Sequence, residues 1–360
     1  MLLSGRHSEA LDLIMEGNIN WGELLRKSDI AQVSPFIYRS VKDKGAVPRD
    51  VVKKLETRYL GSLKRNILHM KEIETVLKAF NEGGIDCVPL KGAVASEALF
   101  GDAGVYSGSD IDLLVRPQAL GPAKKVLEDL GFKQLRPELE EHYLADHYHL
   151  PAYVRDEFSI ELHWNLTHMY HNSLPLYWWE DIRMSELNGI TYFSLSPERY
   201  LMYSIFRVYS HGYRPLRFLL LVSGILSAYQ KELEWKRILS MARSLKMKRV
   251  VRFTIHLARD LLDAPAPEHF IEDGLFMYKG LCKKATEGFF NKDISHSRNM
   301  IKYMLLQDNV FLSILKRLFP GMAEIQLRYG IRGSFTKACL YYLLNPVLLI
   351  LGKKGFGRHA

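Results

Sequence analysis

The apolar positions of this 360-residue chain change period twice, and each change marks a change of element. Over residues 1–80 they recur at helical spacing, most clearly where Ser62–Met70 leads into Ile73, Val76, Leu77 and Phe80, three or four apart along one face. The period then shortens. Ile85–Leu90 reads as a short strand, Ala93–Phe100 as a helix, and Asp110–Val115 as a second strand. Pro117–Leu130 returns to an amphipathic helix, which Gly131 ends. Tyr143–Val154 and Phe158–Trp164 read as the arms of a hairpin that turns at Arg155-Asp156-Glu157. Beyond Pro197 the spacing is helical again and includes the apolar run Phe218–Val222. The pattern predicts an α+β chain: a helical region over 1–80, a small mixed-sheet core over 81–170, and a mainly helical region over 171–360.

Within the core, Ser109-Asp110-Ile111-Asp112-Leu113-Leu114-Val115 sets two carboxylates at i and i+2 in an otherwise apolar run. On a strand this places Asp110 and Asp112 on one face and Ile111, Leu113 and Val115 on the other. Carboxylates two residues apart lie roughly 6–7 Å from each other and, both ionised, repel by about 2–3 kcal/mol at an effective dielectric near 20. A hard divalent cation offsets that repulsion, and magnesium (or manganese) prefers one or two carboxylates together with substrate phosphates. Upstream, Lys91-Gly92 stands at a strand-to-helix junction, where glycine lets a phosphate approach the free N–H groups of a helix start and the lysine adds a point charge. Downstream, Phe158, Ile160, Leu162 and Trp164 alternate with Ser159, Glu161 and His163, so Glu161 is expected to complete a three-carboxylate cluster with His163 beside it.

Charge sharpens this picture. The chain has a net charge of +9, yet residues 81–170 hold 7 Lys and Arg against 15 Asp and Glu, so the acidic centre is set between basic flanks. No nucleic-acid-binding motif accompanies the basic surface, and nucleic acid is not the favoured partner. Cys87, Cys282 and Cys339 are scattered without C-x-x-C spacing, so neither a disulfide framework nor a thiolate metal cluster is indicated and a reducing, cytoplasmic setting is expected. Met1–Arg6 reaches charge without an apolar core, so no secretory leader is expected. Six of the thirteen histidines fall between His142 and His171; His147 and His149 on one strand face, with His163, would suit a zinc-dependent hydrolase, although no close-spaced zinc signature supports it. His211-Gly212-Tyr213-Arg214 is a further candidate substrate contact. Near the end, Leu340–Leu351 is apolar, is interrupted by Asn345-Pro346 and is followed by Lys353, Lys354 and Arg358; it is too short to span a bilayer and suits docking on the helical region or peripheral membrane contact.

Leu90-Lys91-Gly92, the Asp110–Val115 run and Glu161-Leu162-His163-Trp164 together resemble the uncharacterised nucleotidyltransferase family of the DNA polymerase β-like superfamily. An N-terminal helical segment with Trp21, the helix-rich second half and Leu318-Phe319-Pro320 extend the similarity over most of the chain. The resemblance implies a nucleotidyltransferase core, two-metal transfer of a nucleoside monophosphate from a nucleoside triphosphate, and a small-molecule, peptide or protein acceptor. It also implies metal ligands at Asp110 and Asp112, a third catalytic acid at Glu161, and triphosphate contacts near Lys91, Gly92 and Ser109, with His163 close to them. Two positions depart from the family pattern: Gly92 is followed by Ala93 rather than glycine or serine, and Tyr106 stands where relatives carry arginine. Those departures open a second reading, a nucleotide-binding sensor or scaffold with reduced turnover.

Overall fold

The structure is a computed structural model that describes residues 19–167, 174–270, 275–291 and, with short interruptions, 303–350. Helices α1 (Trp21–Ala31), α2 (Ser34–Val41) and α3 (Arg49–Glu82) come first. The Asn20 side chain starts α1 by accepting the Glu23 N–H at 2.9 Å. The core follows as β1 (Cys87–Pro89), α4 (Ala93–Phe100), β2 (Ile111–Val115), α5 (Leu120–Asp129), β3 (Lys133–Gln134), α6 (Glu140–Asp146), β4 (Tyr153–Arg155) and β5 (Phe158–His163). A separate hairpin, β6 (Arg183–Leu187) and β7 (Ile190–Ser194), leads into helices α7 (Pro197–Ser210), α8 (Leu216–Ala228), α9 (Trp235–Ser244), α10 (Lys248–Leu262), α11 (Leu275–Phe289), α12 (Met322–Tyr329) and α13 (Phe335–Ile350).

The five-stranded sheet has the order β1-β2-β5-β4-β3, with β2 and β5 parallel and the remaining pairs antiparallel. Strand alternation divides its two faces chemically. Ile111, Leu113, Val115, Ile160 and Leu162 pack with Ile73, Val76, Leu77 and Phe80 of α3 and with Ala123 and Leu127 of α5. Full burial of side chains of this size contributes about 1.5–3 kcal/mol each, which fixes the register of β2 and β5. The opposite face bears Asp112, Glu161 and His163 and is turned toward the helical region, where Val88, Leu90 and Leu114 join a second core built largely from α7, α8 and α10. The sheet therefore stands between two apolar clusters and presents its acids at the boundary.

Two segments differ from the sequence reading. Tyr143–Asp146 is the end of α6 rather than a strand: Pro137 starts a helical turn, and Glu140 and Glu141 occupy the first turn of the helix, where negative charge is favoured. The hairpin arm shortens to β4, preceded by an isolated bridge between His149 and His163, and Asp156 takes a left-handed φ of 50° at the turn.

Helix α13 runs through Asn345-Pro346 instead of breaking there. Asn345 is turned inward, where its amide donates to the Leu318 carbonyl at 2.8 Å and its Oδ1 accepts from Tyr329 at 2.7 Å and Arg328 at 2.9 Å. Leu340, Leu343, Leu344 and Val347 face outward. Among the described residues no helix is long and apolar enough to cross a membrane. Met1–Arg6, His168, His171, Leu351, Lys353, Lys354 and Arg358 lie outside the described residues.

Candidate active site

Strand β1 ends two residues before Lys91, and the Leu90 N–H donates to the Asp112 carbonyl at 3.0 Å, which ties the Lys91-Gly92 turn to the aspartate strand. Gly92 leads into α4 with φ 74° and ψ −127°, a backbone conformation that L side chains rarely adopt. A Cβ on Gly92 would stand 3.9 Å from the Gly108 nitrogen, and one on Gly108 would come within 3.2 Å of the Asp110 carbonyl oxygen. Two bare backbones thus face each other in front of the first aspartate. Ser109 Oγ donates to Asp110 Oδ1 at 2.9 Å.

The parallel register sets Asp112 directly opposite Glu161, and His163 follows on the same face of β5. Lys91 Nζ lies 2.8 Å from Asp110 Oδ2 and 2.6 Å from Asp112 Oδ2, bridging the two aspartates. His163 Nε2 is 3.0 Å from Asp112 Oδ1 and 3.6 Å from Glu161 Oε2. The structure thus brings together Lys91, Asp110, Asp112, Glu161 and His163, with Gly92 and Ser109 at the rim. Asp112 and His163 are buried, whereas the Asp110 and Glu161 side chains keep 22% and 28% of their surface open.

Burial alone would raise the Asp110 carboxyl, but the Lys91 ammonium and the hydroxyl of Ser109 outweigh it and hold the group below its ordinary range. Burial also opposes ionisation of Glu161, but the neighbouring His163, His149 and Lys91 outweigh it and hold the carboxyl below its ordinary range. Lys91 is pushed down to about 8, first by burial and next by the neighbouring Arg207, with Asp110 opposing. Burial lowers His163 as well, so at neutral pH the ring is uncharged; its Nε2, facing a carboxylate that can only accept, carries the proton.

Asp112, Glu161 and His163 each offer a ligand atom within 4.8 Å of the others. The two carboxylates suit a divalent cation, with the His163 ring beside them, and Lys91 supplies only one positive charge for three carboxyl groups. The residues present therefore fit a divalent cation.

Among the described residues the potential metal ligands that come together are Asp112, Glu161 and His163, without His147 or His149. His147 follows α6, His149 Nδ1 meets the Leu150 carbonyl at 2.9 Å, and the His149 and His163 ring centres stand 5.0 Å apart. Burial pushes His149 down to about 4, against 6.5 for the free side chain. Between those pH values the unfolded chain takes up a proton that the folded protein refuses, so stability is complete above pH 6.5 and falls as pH drops toward 4, by up to about 3 kcal/mol from this group. His149→Phe is expected to flatten that part of the pH profile, measured as chemical-denaturation stability of both proteins from pH 7 to pH 4; parallel profiles would contradict the assignment.

Tyr106 is a packing residue: it stacks on Phe100 with ring centres 6.1 Å apart, its N–H donates to Ser96 Oγ, and its carbonyl accepts from Asn66. His211–Arg214 forms the connection from α7 to α8, with His211 against the Phe218 ring and Tyr213 buried in the helical core. Sequence reading passed over Arg207 and Arg217, one on each of these helices. Their signal was the isolation of Arg217, which is the single charged residue of Leu216–Ala228.

The sequence profile of the uncharacterised nucleotidyltransferase family matches residues 17–263, well over half of the chain, and the protein belongs to that family. The matched span takes in every strand and the helices through α10. No curated protein matches the sequence. Among solved structures the chain is similar to a crystal structure of ANT(2'')-Ia in complex with adenylyl-2''-tobramycin, at 12% identity, over 49% of this chain and 97% of that one, with a TM-score of 0.35. A solution structure of the antibiotic-resistance factor ANT(2'')-Ia is similar at 13% identity, over 53% and 97% of the two chains, with a TM-score of 0.35.

Proposed function

We propose that the protein transfers a nucleoside monophosphate from a nucleoside triphosphate to the hydroxyl or phosphate of a small-molecule, peptide or protein acceptor in the cytoplasm. The observation that carries this reading is the direct pairing of Asp112 with Glu161 across parallel strands, with Asp110 and Lys91 at the same end, in a chain of a nucleotidyltransferase family. An acceptor oxygen attacks the α-phosphorus, the bond to the β-phosphate oxygen breaks, and pyrophosphate leaves with that electron pair. Magnesium or manganese held by Asp110, Asp112 and Glu161 would neutralise triphosphate charge and lower the proton affinity of the acceptor oxygen. Lys91 and the N–H groups around Gly92 and Gly108 hold the phosphates, His163 orients Asp112 through Nε2–H, and Glu161 binds the ion or takes the acceptor proton. Most of the rate gain comes from positioning and charge neutralisation.

Lys91 also favours a second reading, in which the chain senses or scaffolds a nucleotide with reduced turnover, because its ammonium already bridges both aspartates at 2.8 and 2.6 Å. Incubation with each labelled triphosphate and magnesium, with and without cell lysate, separates the two. Lysate-dependent release of pyrophosphate that survives zinc-selective chelation is the expected result. Binding without turnover would favour the sensor, and activity restored by zinc after chelation would return the histidines to consideration.

A further inference from the structure

Opposite the acids, two cations of the helical region lack the partners that buried cations ordinarily have. Arg207 sits in the last turn of α7 and Arg217 in the first turn of α8. Both are half-buried and both Nε atoms are withdrawn from solvent without an acceptor. Elsewhere the protein pairs such groups: Arg199 meets Glu180 and Arg155 meets Glu72, each at 2.6 Å. Among the described residues neither Arg207 nor Arg217 has a carboxylate within ion-pair distance.

Their surroundings hold them in place without neutralising them. The guanidinium groups of Arg207 and Arg217 stand 5.1 and 5.2 Å from the centre of the same Phe218 ring, and Arg217 lies 5.6 Å from that of Tyr106. Arg207 Nη1 donates weakly to Tyr203 at 3.4 Å. Arg217 Nη1 donates to the Ser107 carbonyl, which anchors it to the loop that carries Gly108 and Ser109. Arg207 also lines a small cleft with Tyr148, Thr167 and Tyr203, and the Tyr148 ring centre lies 5.6 Å from that of His163, so this cleft adjoins the acidic cluster.

Two like charges held against one ring repel each other, and a withdrawn Nε–H without an acceptor costs about what a lost hydrogen bond costs. A polyphosphate removes both penalties, because its oxygens accept from planar guanidinium forks in pairs. Beside three carboxyl groups a polyphosphate needs more positive charge than Lys91 supplies, and the two arginines on the helical side provide it.

We propose that Arg207 and Arg217 form the receiving pair for the terminal phosphates of the nucleotide and hold pyrophosphate as it leaves, an inference that rests on the nucleotidyl-transfer reading. The two are binding and positioning residues. They touch the leaving group and take no proton.

The test is calorimetric titration of the full chain with inorganic tripolyphosphate in the presence of magnesium. Arg207→Met and Arg217→Met are each expected to weaken binding by 10-fold or more. Arg207→Lys, which keeps the charge without the fork, should recover part of the affinity, and Arg183→Met, at an exposed pair with Glu232, should behave as wild type. Melting curves accompany every variant, and the lysine variant keeps the test decisive should a methionine variant fail to fold. Equal affinity in wild type and both methionine variants would overturn the proposal, as would wild type that does not bind tripolyphosphate. Loss of affinity in Arg183→Met to the same extent would overturn it too, since the anion would then be held by surface charge at large. Arginine-dependent anion binding in a protein whose nucleotide binding is indifferent to Asp110→Asn would sustain this pair and remove the catalytic reading instead.

Discussion

Asp110→Asn is expected to abolish magnesium-dependent nucleotide binding while leaving the fold in place. Asp110 stands just ahead of β2, outside the strand ladder, and its side chain is partly open. The amide keeps the volume of the carboxyl group. Lys91 keeps Asp112 at 2.6 Å, so no buried cation is left unpaired, and the stability change should stay within about 1 kcal/mol. Binding behaves differently, because on the proposed reading a ligand charge is lost. Removal of groups that merely orient ligands costs 10–100-fold in metal affinity, so loss of a ligand itself should cost on the order of 100-fold or more. Calorimetric titration with a magnesium–nucleotide complex, beside a melting curve, measures both effects; nucleotide binding at wild-type strength would contradict the ligand assignment.

That expectation could be written from the chain alone because strand chemistry is local and periodic. Alternation over Asp110–Val115 and Phe158–His163 fixes which side chains share a face, and the apolar residues of both strands fix which face is buried. Their parallel pairing brings Asp112 opposite Glu161 across 49 residues of chain, and that register is what turns two separate patterns into one cluster. The role of Lys91 was less legible. Its place after β1 suggested a phosphate contact, whereas in the fold its ammonium reaches back to both aspartates, a contact set by sheet geometry rather than by neighbours in sequence.

Longer-range features were harder still. Arg207 and Arg217 lie on two helices, more than 90 residues beyond the aspartates, and helical spacing says nothing about which sheet face those helices cover. The C-terminal segment shows another long-range contact that spacing does not carry. Asn345-Pro346 reads as a break in an apolar run, yet Asn345 is the residue that holds α13 to the Arg328-Tyr329 end of α12, and the leucines are the ones left outside. Hydrogen bonds to three partners let a polar residue occupy that buried place.

Glu161→Gln is expected to lower kcat by roughly 10²-fold or more, the scale of removing a proton-accepting group, while triphosphate binding stays closer to wild type than in Asp110→Asn. The size of the effect follows from the position of Glu161: opposite Asp112, 3.6 Å from His163 Nε2 and partly open to the cleft. Two ways of acting are open to a carboxylate in this position. As a ligand for a hard cation, Glu161 holds the second ion. In that case the magnesium concentration that gives half-maximal turnover rises in the glutamine variant. If Glu161 instead takes the acceptor proton, kcat falls with an unchanged magnesium requirement and the acid limb of the rate profile disappears. A glutamate on a merely solvated strand face would change stability by less than about 0.5 kcal/mol and leave turnover alone. Steady-state kinetics against magnesium, with a melting curve on the same variant, separate the three, and turnover at the wild-type rate would remove Glu161 from the site.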